Sequence, residues 1–268
     1  MNDSLACKLK FLSDKYETKD FIIHDPSQFM HNYKDSVNQE LAAFIASSLA
    51  FGRREQIIEH VKFILDMAEG NIAQWITSGS YRKVFTEGEK SFYRMYSHNS
   101  MIEFFDTLKT MLVSSSSIGE YIRVKWLNAC REQVNGNVSY PSAFTGKPLL
   151  CFVISSMFDE RCALIPHTQT SSCKKLNMFI RWMVRTSSPV DLGLWTWYDR
   201  KDLLIPLDTH VMTEASNFNL IPRTSSGKIR SARLKTCMEL TDELRKVFPD
   251  DPARGDFALF GLGVDDGR

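Results

Sequence analysis

CKKLNMFIRWMVR, residues 173–185, sets its apolar side chains Leu176, Phe179, Ile180 and Met183 at steps of three and four. That spacing lays them along one face of a helix and is incompatible with the two-residue alternation of a strand. The helix should end before Ser187, Ser188 and Pro189, because the residue ahead of a proline is pushed out of the helical region.

The same periodicity extends outward in both directions. QELAAFIASSLAFG (39–52) repeats it at Leu41, Phe44, Ile45, Ser48 and Leu49, and Gly52 stops or bends the helix. REQIIEHVKFILDMAEG (54–70) repeats it at Ile57, Ile58, Val61, Ile64 and Leu65, ending at Gly70 as a helix C′ position would. Further helices are expected at NIAQWITSG (71–79), KSFYRMYSHNSMIEFFDTLKTMLVSSSS (90–117), IGEYIRVKWLNACRE (118–132) and GKPLLCFVISSMF (146–158). Two more follow, one from Asp208 through Val211, Met212 and Ala215, the other at LKTCMELTDELRKVF (234–248). Strand signals are nearly missing, and the single Asn-Gly pair, Asn135 and Gly136, follows a helix rather than joining two alternating runs. The expectation is an all-α chain of about ten helices.

At 268 residues and 43% hydrophobic content the chain can bury a sizeable core. No apolar run approaches the roughly 20 residues that span a bilayer, and MNDSLACKLKFLSDKYETKD has no signal-peptide pattern, so the sequence reads as a cytoplasmic protein, nucleoid-associated if it binds DNA. The six cysteines show neither CxxC nor Cys/His spacing, and the histidines form no ligand pattern; no metal or cofactor is expected. The net charge of +1 decides nothing about partners, but its distribution is uneven. RTSSGKIRSARLK (223–235) carries Arg223, Lys228, Arg230, Arg233 and Lys235 with no acid, and CKKLNMFIRWMVR carries Lys174, Lys175, Arg181 and Arg185 with none. Two such segments fit either a phosphate-binding face or ordinary solvated helix faces.

LLIPLDTHVM (203–212) sets one carboxylate, Asp208, in an apolar stretch behind Pro206. Asp208 suits a helix N-cap, and Lys174, at the start of the helix that opened this reading, precedes it by 34 residues. A lysine becomes a nucleophile when its ammonium loses a proton, which a neighbouring cation such as Lys175 and the positive end of a helix both favour. A capping carboxylate stays ionised and can stabilise a developing positive charge.

FIRWMVR, VDLGLW, IPLDTHV and DFALFGLG together resemble an uncharacterised bacterial family related to the helix-hairpin-helix DNA glycosylases, nearest the archaeal 8-oxoguanine glycosylase branch. KKLN (174–177) is similar to the end of the glycosylase hairpin that carries the catalytic lysine, and LDTHV to the segment that carries the catalytic aspartate. LAAFIASSLAFGRRE is similar to the first core helix and the loop that enters the gap left by a flipped nucleotide. The resemblance implies two helical domains flanking a cleft: residues 36–186, ending in the hairpin-like segment, and residues 1–35 plus 187–268, carrying Asp208. It implies a monomer, a DNA repair glycosylase or glycosylase/AP lyase, acting on double-stranded DNA with a damaged base, an oxidised purine foremost, without cofactor. Lys174 would attack the sugar C1′ and Asp208 would assist; His210, Lys175, Arg181, Arg53, Ser171 and Ser172 would contact the DNA. TQTSSCKK (168–175) departs from the family in having no hairpin glycine, so serine hydroxyls must replace backbone donors. That departure keeps open an alternative, a catalytically inactive nucleic-acid-binding protein on the same fold.

Overall fold

The computed structural model describes residues 3–265; the ends of the expected domains, 1–2 and 266–268, lie outside the described residues. The helices are α1 (Asp3–Tyr16), α2 (Ser36–Ser48), α3 (Arg54–Met67), α4 (Ile72–Thr77), α5 (His98–Ser114) and α6 (Ile118–Val134). After these come α7 (Leu150–Ser155), α8 (Lys174–Val184), α9 (Thr209–Asn217), α10 (Leu234–Arg245) and α11 (Gly255–Asp265). The architecture is mainly helical, of the all-α class. Asp35, Asn71, Ser97, Ser117 and Asp208 each take a backbone N–H of the helix they precede, answering donors that the first turn leaves without partners.

The expected single helix over 90–117 is corrected. Residues Ser91–Tyr93 (β1) and Tyr96–Ser97 (β2) form a short antiparallel hairpin, and only then does α5 begin, capped by Ser97. Arg94 makes the turn with φ at 53°, and burial of Tyr93 and Tyr96 offsets the cost of that conformation. The expected helix over 146–158 shortens to α7, because Pro148 pairs in a bridge with Ser142 and its carbonyl accepts the Trp126 indole N–H.

The chain divides into two compact units, residues 22–142 with 147–167, and residues 1–21, 143–146 and 168–268. In the first, α2 is apolar around most of its circumference, from Leu41 through Ala46, and α3, α4 and α6 pack around it. Two buried polar side chains fix it: Asn38 accepts the Ala73 N–H at the start of α4, and Glu40 accepts the Gly119 N–H at the start of α6. Phe44, Phe104 and Phe158 stack behind them.

In the second unit, α11 packs on both α1 and α9. Gly261 lets α11 approach α1 closely, since a Cβ there would stand 2.3 Å from the Tyr16 ring. α8, expected at the end of the first domain, groups with the residues that follow it. Its two buried arginines, Arg181 and Arg185, find their counter-charges on Glu17, Asp191, Asp251 and Asp256, all in that unit.

Candidate active site at two helix starts

Lys174 is the first residue of α8 and Asp208 the cap of α9, and the two side chains meet. Lys174 Nζ lies 3.4 Å from Asp208 Oδ2, with the lysine side chain 34% exposed and the aspartate 12%. Asp208 divides its oxygens: Oδ1 accepts the Val211 N–H at 2.9 Å and closes the first turn of α9, while Oδ2 faces the lysine. Pro206 and Leu207 hold the entry to that cap in an extended, buried segment. A partly solvated amine beside a fixed, mostly buried carboxylate is an arrangement from which a nucleophile can be released.

Cys173, just before Lys174, takes a left-handed backbone with φ at 48° and offers no side-chain cap to α8. A buried cysteine thus adopts a positive φ that glycine takes more readily.

One flank of α8 is polar and buried. Asn177, one turn beyond Lys174, donates to the Ser172 carbonyl at 2.8 Å. Arg181 follows, bonded to Asp256 and 3.3 Å from Asp191. Arg185 comes next, holding Asp191, Asp251 and Glu17. Both guanidiniums lie over the Phe257 ring, at 4.5 and 5.2 Å. Burial pushes the Asp256 carboxyl up to about 7; the Arg181 charge opposes this, and the nearby Asp208 charge adds to it. Burial also raises Asp251 against the pull of Arg185. Glu17 is pushed up by burial too, but Arg185 and Arg254 outweigh it and hold its carboxyl below the usual range.

A family model described as a protein of unknown function, DUF2400, matches residues 25–265. The chain belongs to the DUF2400 family. No curated protein and no solved structure matches it. The matched segment of this DUF2400 chain contains Lys174, Asp208 and the whole of the buried charged flank of α8.

The remaining expected contacts are distributed unevenly. Arg181, expected to contact DNA, is 2% exposed and answered by two aspartates. Ser172, expected to contact DNA, is 7% exposed, and its carbonyl accepts from the Asn177 amide. Ser171 is half-buried, and its hydroxyl accepts the Cys173 N–H at 3.1 Å. Lys175 is half-buried one position round α8, where adjacent residues do not share a face. His210 sits in the first turn of α9 and meets the Phe260 ring of α11 edge-on at 6.0 Å. Arg53 belongs to the other unit, exposed ahead of α3 without a capping bond. Trp182 and Trp195 are core residues, and Trp197 stacks on Trp195 at 5.2 Å.

Of the two basic segments, 223–235 presents most of its charge to solvent, whereas the arginines of 173–185 are buried. Arg223, Lys228, Arg233 and Lys235 are exposed, while Arg230 bonds Glu239. The segment is tied to the stretch before α8 by a bridge between Ser171 and Arg233 and by the Leu234 N–H on the Thr170 carbonyl at 2.9 Å. The run of five basic residues without an acid was visible in the sequence; its attachment next to Lys174 was not.

Among the described residues no group of three or more His, Cys, Asp or Glu is placed to hold a metal ion. Among the described residues no helix is long and apolar enough to cross a membrane.

Proposed function

We propose that this protein is a DNA repair glycosylase with AP lyase activity, in which Lys174 is the nucleophile and Asp208 its carboxylate partner. The observation that carries the reading is the 3.4 Å ion pair between two residues 34 positions apart, each at the start of its own helix. The amine would attack C1′ of a flipped nucleotide, the base would leave, and the resulting Schiff base would permit β-elimination. Asp208 would accept the proton that Lys174 sheds and stabilise positive charge on the sugar. The exposed loop 223–235 supplies cations for the flanking phosphates in place of Arg181. The resemblance of KKLN and LDTHV to the glycosylase segments selects oxidised purines as the first lesions to examine. In the other unit, the resemblance assigns the gap-filling role to the loop at Phe51, whose ring is 46% exposed and lies 5.5 Å from the Arg94 guanidinium.

The test is to incubate the protein with duplexes carrying oxidised bases or abasic sites and to trap with borohydride. A covalent adduct is expected with wild type and with Lys175→Ala, and none with Lys174→Ala. Absence of an adduct with every lesion, while a bifunctional glycosylase control gives one, overturns the Schiff-base mechanism.

One feature favours the second reading, a catalytically inactive nucleic-acid-binding protein on the same fold. The hairpin serines that would replace glycine donors are occupied within the protein: Ser171 accepts from Cys173, and Ser172 is buried. DNA binding that loses affinity in Arg233→Ala, together with no adduct, identifies that case.

A further inference from the structure

Behind the Lys174–Asp208 pair lies a connected set of charges that the proposed reaction leaves unused. From the pair inward, its carboxylates are Asp208, Asp256, Asp191, Asp251 and Glu17, and its cations are Lys174, Arg181, Arg185 and Arg254. Carboxylates outnumber cations by one, and Arg254 is further shared with the exposed Asp14. An uncompensated charge in a buried set is strongly unfavourable, whereas one bound proton removes it. The geometry shows which carboxyl is free to hold that proton. Oδ2 of Asp256 takes Arg181, but Oδ1 is buried without a hydrogen-bond partner among the described residues. Asp191 Oδ1 also lacks a hydrogen bond, yet it faces Arg181 Nε at 3.3 Å.

We propose that Asp256 is a positioning residue for the Lys174–Asp208 pair: its carboxyl carries the exchangeable proton of the buried cluster, and ionising it adds a negative charge behind Asp208 that tightens the hold of Lys174 on its own proton. The proposal rests on the reading above only in treating Lys174 as the reacting amine.

Every element around Asp256 contributes to its surroundings. Lys174 and Arg181 face it from α8, Asp191 from the segment after α8, Asp208 from the start of α9 and Cys237 from α10. On the α1 side Glu17 joins through Arg185, as does Asp251, and Arg254 of the turn before α11 holds Glu17. His210 and Glu214 of α9 face α11 farther along, against Gly263. Burial is the largest influence and pushes Asp256 up to about 7, inside the range in which the enzyme would work. The site would then hold two settings. With Asp256 neutral, Asp208 is the only carboxylate acting closely on Lys174 and the amine is released more readily; with Asp256 ionised, a second negative charge retains the ammonium.

The test reads the amine directly and needs no DNA. The whole protein is trace-acetylated with acetic anhydride across a pH series, and the Lys174 peptide is quantified by mass spectrometry against exposed Lys10. At about pH 8, Asp256→Asn is expected to acetylate at Lys174 about threefold faster than wild type or more, the ratio falling toward one below about pH 6, where the wild-type carboxyl is already neutral. Lys10 should be unchanged. A ratio of one throughout overturns the proposal. If Asp256→Asn does not fold, the wild-type curve decides: Lys174 should show an inflection near 7 that Lys10 lacks, and a curve that follows a single proton overturns the coupling. Borohydride trapping is scored separately. A normal coupling without an adduct sinks the lyase reading and spares Asp256; an adduct without coupling does the reverse.

Discussion

Asp208 performs two tasks with two oxygens, and substitution can separate them. Asparagine caps a helix about as well as aspartate, so Asp208→Asn should keep α9 and unfold within about 1 kcal/mol of wild type. It removes the charge beside Lys174, however, and the trapped adduct should fall by about a hundredfold or more. Asp208→Ala should lose the adduct and in addition about 1 kcal/mol of stability, because the Val211 N–H then has no side-chain acceptor. Denaturant unfolding followed alongside borohydride trapping checks both halves; an asparagine variant that traps as wild type removes Asp208 from the chemistry. The pairing itself could not be read from the sequence. A cap preceded by Pro206 is a local pattern, whereas a 3.4 Å approach to Lys174 depends on how α8 and α9 pack.

At the scale of elements, α8 shows where periodicity informs and where it stops. Its apolar stripe fixed its type and its end, and α8 ends at Val184, one residue inside the expected stretch. The same stretch looked like one of two basic faces, yet its arginines point inward, because the acids that answer them come from residues 17, 191, 251 and 256. No local pattern announces partners so distant. The hairpin β1–β2 was missed for a related reason: its turn uses Arg94 rather than glycine or asparagine at positive φ, and its tyrosines fit an apolar helical stripe equally well. The contrast between the two basic segments is testable. Arg185→Ala leaves Glu17, Asp191 and Asp251 without their shared cation and should cost about 3–5 kcal/mol in denaturant unfolding. Arg233→Ala with Lys235→Ala should leave stability nearly unchanged, weaken DNA binding, and lower the slope of log affinity against log salt by about 2. A salt slope equal to that of wild type would place the DNA face elsewhere.

Across the molecule, the buried carboxyls give the unit that holds them a pH-dependent stability whose sign follows from their shifts. Asp256 is raised from 3.8 to about 7, so the folded state binds a proton that the unfolded chain has already released. Its contribution is complete below about pH 4 and is lost as pH rises through about 7. Asp251, also raised, acts in the same direction, while the lowered Glu17 stabilises above its unfolded value and loses that effect as pH falls. Asp256→Asn should therefore gain in melting temperature relative to wild type between about pH 5 and pH 8. A difference that stays constant over that interval contradicts a raised Asp256. Helical class and most element positions could be read from the chain; the ion pair that joins residue 17 to residue 254 could not, because no local pattern links residues so far apart.

Those long-range pairs also set an order of folding. Arg181 and Arg185 are synthesised well before Asp251 and Asp256, and the α1 residue Lys15 must wait for Asp265. A chain that stops before Asp251 would have to bury two guanidiniums with two of their four carboxylates missing, so α8 should stay solvated until residues 251–256 have emerged. The unit that carries Lys174 then folds late and in one step, with slow closure typical of contacts far apart in sequence. Lys174 and Asp208 would then come together only after residues 251–256 have joined the unit that holds them.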